Sequence, residues 1–108
     1  MEDDIQEIKR LDPLLMNSKR LMIVALLYAL GPRTMKQPVD SLGITWGDLD
    51  SNIRRLREHG IVEVRKVPTR KGPRTLVYLT SYGERRFEEF SEVLEKVAGK
   101  IRELREGR

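Results

Sequence analysis

The stretch ITWGDLDSNIRRLREHGIVEVRKVPTRKGPRTLVYLT, residues 44–80, decides the fold. It reads as a capped helix followed by a basic β-hairpin. Thr45 is placed to cap the helix, with Asp48 at the third helical position. Ile44 before the cap and Leu49 in the next turn are spaced for a hydrophobic staple. Leu49, Ile53 and Leu56 form the buried stripe of a helix over about residues 46–59, and Gly60 ends it. Two β-branched runs, 61–67 and 75–80, then flank a loop with Arg70, Lys71, Gly72, Pro73 and Arg74. A helix and a cation-tipped hairpin on one small domain suit a duplex, because the helix fits a groove and the hairpin meets phosphate.

Charge placement supports this reading more than the net charge of +4 does. Five cations (Arg65, Lys66, Arg70, Lys71 and Arg74) and no acid lie between Val64 and Gly83, whereas residues 84–108 balance seven acids with seven bases. The positive field is therefore concentrated on the hairpin, as a polyanion-binding surface requires. The alternative is a basic but merely solvated loop. With no cysteine, disulfides, thiol sensing and thiolate metal sites are excluded. The one histidine, His59, has no partners for metal or catalytic work. No nucleophile, metal cluster or phosphate-cradling glycine loop is visible, so neither an enzyme nor a cofactor is expected. The apolar run 21–30 is too short to span a bilayer, and no signal peptide opens the chain, so a soluble cytoplasmic protein with no membrane partner is expected.

Outward from the hairpin, Asp3 or Asp4 starts a short helix in which Ile5 and Ile8 share a face. A second helix begins at Asn17 or Ser18 and runs to Leu30. It is apolar on nearly every side and so is expected to be central and covered by its neighbours. Thr34-Met35-Lys36-Gln37 resembles a capping box for a third helix ending before Gly43; Pro38 either distorts its first turn or, as expected here, shortens it to a start at Pro38. After the hairpin, Thr80 caps a long final helix. There Phe87, Phe90, Leu94, Val97, Ile101 and Leu104 recur at spacings of three and four. From Gly83 to Glu106 it would extend about 36 Å, more than the small domain needs. The seam has two readings: it packs on the chain's own first helix, or it meets a second copy with Ile5 and Ile8 in the same interface. The dimer is the expectation. The domains follow: 1–12, an N-terminal helix and dimer contact; 13–82, the DNA-binding domain; 83–108, the dimerisation helix.

Residues 11–27 (LDPLLMNSKRLMIVALL), 41–45 (SLGIT), 47–64 (GDLDSNIRRLREHGIVEV) and 74–83 (RTLVYLTSYG) resemble the winged helix-turn-helix regulators of the MarR/ArsR-like group, over nearly the whole chain. The resemblance implies a mainly α fold with a small β-hairpin, and a homodimeric, sequence-specific transcription factor. Ser51 and its neighbours would enter the major groove, with the wing, 65–74, on backbone or minor groove. Alternatives are a non-specific architectural DNA-binding protein and a winged-helix adaptor. A small-molecule effector is compatible with such proteins but not indicated here.

On the expected reading helix, Arg54 points outward and suits guanine O6 and N7, or a phosphate. Gly47 and Ser51 are small enough for close approach to base edges. Arg55, Lys66, Arg70, Lys71, Arg74 and Lys36 are phosphate candidates. Asp50 opposes phosphate but can accept from cytosine N4. Lys19 and Arg20, at the start of the second helix, have phosphate and plain-surface readings. Asn52 leans inward, and Trp46 has packing and contact readings.

Overall fold

Leu49, Ile53 and Leu56 are buried on one face of a helix, and the rest of the molecule is arranged around that face. The computed structural model describes residues 2–107. Its elements are α1 (Glu2–Ile8), α2 (Ser18–Leu30), β1 (Arg33–Thr34), α3 (Lys36–Leu42), α4 (Trp46–Glu58), β2 (Val62–Val67), β3 (Arg74–Leu79) and α5 (Ser81–Glu106). The mainly α fold with a small β-hairpin and a long C-terminal helix is therefore present. The sheet is antiparallel, in the order β1-β3-β2, with Val64 opposite Val77 and Arg33 opposite Val77 on the other side. Leu15 and Ile23, Val24 and Leu27 of α2 join the α4 stripe, Ile61, Val62, Val77 and Phe90 in one core.

Local chemistry explains the helix limits. The Asn17 side chain accepts from the Arg20 N–H at 3.0 Å and starts α2. Thr45 Oγ1 accepts from the Asp48 N–H at 3.0 Å and starts α4, with Ile44 buried just before it as a staple requires. Gly60, at φ 73°, takes the left-handed turn that a side chain would resist, so α4 stops and β2 begins.

Several expectations need correction. The capping box does not form: α3 begins at Lys36 behind Met35, which makes no side-chain cap bond. Thr34 is instead drawn into the short strand β1, opposite Leu76. Pro38 sits buried inside the first turn of α3 rather than starting it, a position that tolerates proline because the missing N–H needs no helical partner. In α2 the apolar surface is not covered all round: Ile23, Val24 and Leu27 are buried while Met22, Tyr28 and Leu30 are exposed.

The α5 seam is divided. Phe90 and Val97 are buried within the single chain, and Phe87 packs on Tyr28 with ring centroids 4.8 Å apart. Helix α1 packs on α5, with Glu7 paired to Lys96 at 3.2 Å. Val93 and Val97, next to that pair in sequence, are buried although outside the main core. Leu94 and Ile101 stay exposed at 37% and 49%, as do Ile5 and Ile8 at 46% and 41%; Leu104 is half-buried. Phe87, Phe90 and Val97 therefore serve the chain's own packing first. The surface left for a second copy is narrower than the repeat suggested.

The root of α5 is fixed by a close approach. A Cβ on Gly83 would lie 2.1 Å from the Ile61 carbonyl oxygen, so only glycine fits. Gly83→Ala is expected to destabilise the fold by about 3 kcal/mol or more, since backbone atoms must move. Gly99→Ala in the same helix meets nothing within 4 Å and should stabilise by up to about 1 kcal/mol. Urea unfolding of both variants checks the contrast.

A second fastening joins the segment after α1 to α5. Arg86 Nε and Nη2 donate to Asp12 Oδ2 and Oδ1 at 2.5 and 3.0 Å. Partial burial pushes the Asp12 carboxyl up, but the hydrogen bonds from Arg86 and the Leu14 N–H, with the Arg86 charge, outweigh it and hold the group below its ordinary 3.8. Its contribution to stability is thus complete above the unfolded value and is lost as pH falls through the lowered one. Asp12→Asn should flatten that acid limb of a stability–pH curve while leaving its shape near neutrality unchanged.

Candidate nucleic-acid interface

Because α4 buries Leu49, Ile53 and Leu56, its opposite side is set by the helical repeat: Gly47, Asp50, Ser51, Arg54 and Arg55 are all exposed. No wall crowds Gly47, where a Cβ would meet only Thr45 Oγ1 at 4.0 Å. The wing extends β2 and β3 beyond the core, with a tip closed by reciprocal bonds between the backbones of Thr69 and Gly72 at 3.1 and 3.0 Å. Arg65, Lys66, Arg70, Lys71 and Arg74 are exposed, and among the described residues none has a carboxylate partner. Lys36 and Arg55 are likewise exposed and unpaired among the described residues.

The two elements share one side of the molecule. Trp46 of α4 and Pro73, Arg74 and Thr75 of the wing line a single groove of about 430 Å³, together with Lys36. Of the expected contact residues, the groove brings Lys36 and Arg74 directly beside the start of the reading helix. Arg70 and Lys71 lie further out at the wing tip.

Two of the three acids on α4, Asp48 and Asp50, are paired. Asp48 forms an ion pair with Lys19, whose hydrogen bond is the main reason its carboxyl lies below the ordinary carboxylate value. Asp50 Oδ2 accepts from Arg54 Nη2 at 2.6 Å. Arg54 is therefore held sideways along its own helix, and one of its five donors is occupied. Lys19 and Arg20 are used inside the fold: Arg20 donates to the Leu14 carbonyl at 2.7 Å and to Asn52 Oδ1 at 3.3 Å. Asn52 Nδ2 donates to the Asp48 carbonyl at 2.8 Å, which makes it structural. The Asp50–Arg54 spacing of four carried its own signal; the Lys19–Asp48 pair, 29 residues apart, left no trace in the sequence.

The model of the family described as "winged helix DNA-binding domain" matches residues 19–98, most of the chain and all of α4 and the wing. The chain belongs to that winged helix family. A transcriptional regulator homologue from Pyrococcus horikoshii OT3 superposes on this winged helix chain with a TM-score of 0.83 and 32% identity, covering 89% of this chain and 97% of its own. The transcriptional regulator PA4135 gives 0.68 at 23% identity, covering 94% and 75%. NMB1585, a MarR family regulator from Neisseria meningitidis, gives 0.62 at 19%, covering 80% and 60%. The last two share the fold, which is thus that of MarR-type regulators. A comparison with curated proteins finds no match.

The winged helix chain has no helix long and apolar enough to cross a membrane among its described residues. The Phe87 and Phe90 rings lie 6.4 Å apart, tilted against each other by 39°. A pocket of about 460 Å³ opens elsewhere, between residues 10–13 and α5, with Arg10, Arg85 and Arg86 at its edge. Asp50→Asn would release Arg54 and remove one negative charge from the exposed face of α4. Affinity for random duplex, read by fluorescence anisotropy, is expected to rise by up to about 5-fold, the scale of one exposed ion pair.

Proposed function

We propose that this winged helix protein is a homodimeric, sequence-specific transcriptional regulator. Helix α4 would enter the major groove, and the wing, 65–74, would lie on the adjoining backbone or minor groove. The observation that carries the proposal is the common groove joining Trp46 to Arg74: it puts the start of the reading helix and the root of an uncompensated basic wing on one face. Gly47 and Ser51 permit close approach, Arg54 and Asp50 are the base-reading pair, and Arg55, Lys36, Lys66, Arg70, Lys71 and Arg74 anchor phosphates.

Dimer formation rests on Leu94, Ile101, Ile5 and Ile8, apolar side chains exposed on α5 and α1, with Leu104 at their margin. Burying them in a two-fold interface removes apolar surface from water and sets two reading helices about one DNA turn apart. The operator would then be near-palindromic. The similarity to a transcriptional regulator homologue from P. horikoshii supports the regulatory part.

The Asp50–Arg54 ion pair favours a second reading, an architectural protein whose wing binds any sequence through charge. Selection of tight-binding duplexes from a random pool separates the two. The regulator is expected to enrich a two-fold motif bound at least roughly 10³-fold more tightly than random duplex; the architectural protein enriches nothing. In the same assay, replacing Arg70, Lys71 and Arg74 together with alanine should lower the log–log salt slope by about 3. Sedimentation should give twice the 12.6 kDa chain mass. An unchanged salt slope would remove the wing from the interface.

A further inference from the structure

Trp46 occupies the first position of α4, and 55% of it is exposed. It does not simply face solvent. The groove it lines is completed by Met35 and Lys36 at the start of α3 and by Pro73, Arg74 and Thr75 on the return strand of the wing. Three segments distant in sequence thus converge on one concave site. No carboxylate lines it, and Lys36 and Arg74 make no ion pair among the described residues. An indole flanked by two uncompensated cations is amphipathic in a particular way. Its flat apolar face suits a sugar ring, its N–H is a donor only, and the cations suit phosphate oxygens.

We infer that this groove is a subsite for one sugar–phosphate unit of a duplex strand, with Trp46 against the deoxyribose and Lys36 and Arg74 on its phosphate. The inference rests on the DNA-binding reading above and adds to it a contact residue and a place for the strand. A strand passing from α4 to the wing must cross this groove, because the groove is bounded by both. A backbone contact carries no sequence information. Trp46 therefore raises affinity for every duplex equally and leaves the choice of sequence to the outward face of α4.

The chain has one tryptophan, so its emission reports on this groove alone. Full-length protein is titrated with a short random-sequence duplex, following tryptophan emission and, in parallel, the anisotropy of end-labelled duplex. Emission is expected to shift and saturate together with anisotropy. Trp46→Ala should weaken random and selected duplexes by the same factor, several-fold, and Trp46→Phe should recover most of the loss. Lys36→Ala and Arg74→Ala should each lower the salt slope by about 1. Rising anisotropy with unchanged emission and unimpaired Trp46→Ala binding overturns the subsite while DNA binding stands. A Trp46→Ala variant with an altered selected-to-random ratio overturns the backbone assignment in favour of a base contact. No rise in anisotropy removes the DNA-binding reading and the subsite with it.

Discussion

The junction of residues 60–61 with residues 80–83 is the constraint on which the interface depends. Thr80 Oγ1 donates to the Gly60 carbonyl at 2.6 Å and accepts from the Gly83 N–H at 2.9 Å, and the Thr80 N–H donates to the Ile61 carbonyl at 3.0 Å. One residue thus caps α5, closes the end of β3 and receives the chain as it leaves α4. Gly83 makes the approach possible, since any side chain would enter the Ile61 carbonyl. Helix α4, the wing and α5 all meet here, and none of the three can reorient without breaking it. Backbone groups satisfied in this way need no further partner.

A fixed junction lets charge be distributed by role. Asp48 and Asp50 on α4 are met within the fold, by Lys19 and Arg54, while the wing cations make no ion pair among the described residues. Counterions condense on a duplex and are released when cations replace them, so on the proposed reading an uncompensated wing would supply affinity without selecting sequence. On the proposed regulator reading, selection would fall to the small exposed face between Gly47 and Arg55.

The parts of this arrangement legible in the sequence are those governed by neighbours along the chain. Thr45, Leu49, Ile53, Leu56 and Gly60 mark α4 within a residue or so of its observed limits, because capping and helical periodicity are local. The wing was legible for the same reason. Thr34 was not: the pattern Thr34-Met35-Lys36-Gln37 made it a helix cap, but pairing with Leu76 across the sheet won. Nor was the division of the α5 seam, since a heptad records that a face is apolar and not whether α1 or a second chain covers it. Trp46 stayed undecided in the sequence because its groove is assembled from residues 35–36 and 73–75, and only the fold brings those together.

Mapping backbone amide shifts by NMR as unlabelled duplex is added tests the central claim most directly. Perturbations are expected on the exposed side of α4, at the start of α3 and along the wing, on one continuous face. Perturbations confined to α1 and the distal half of α5, or to α4 without the wing, would contradict it.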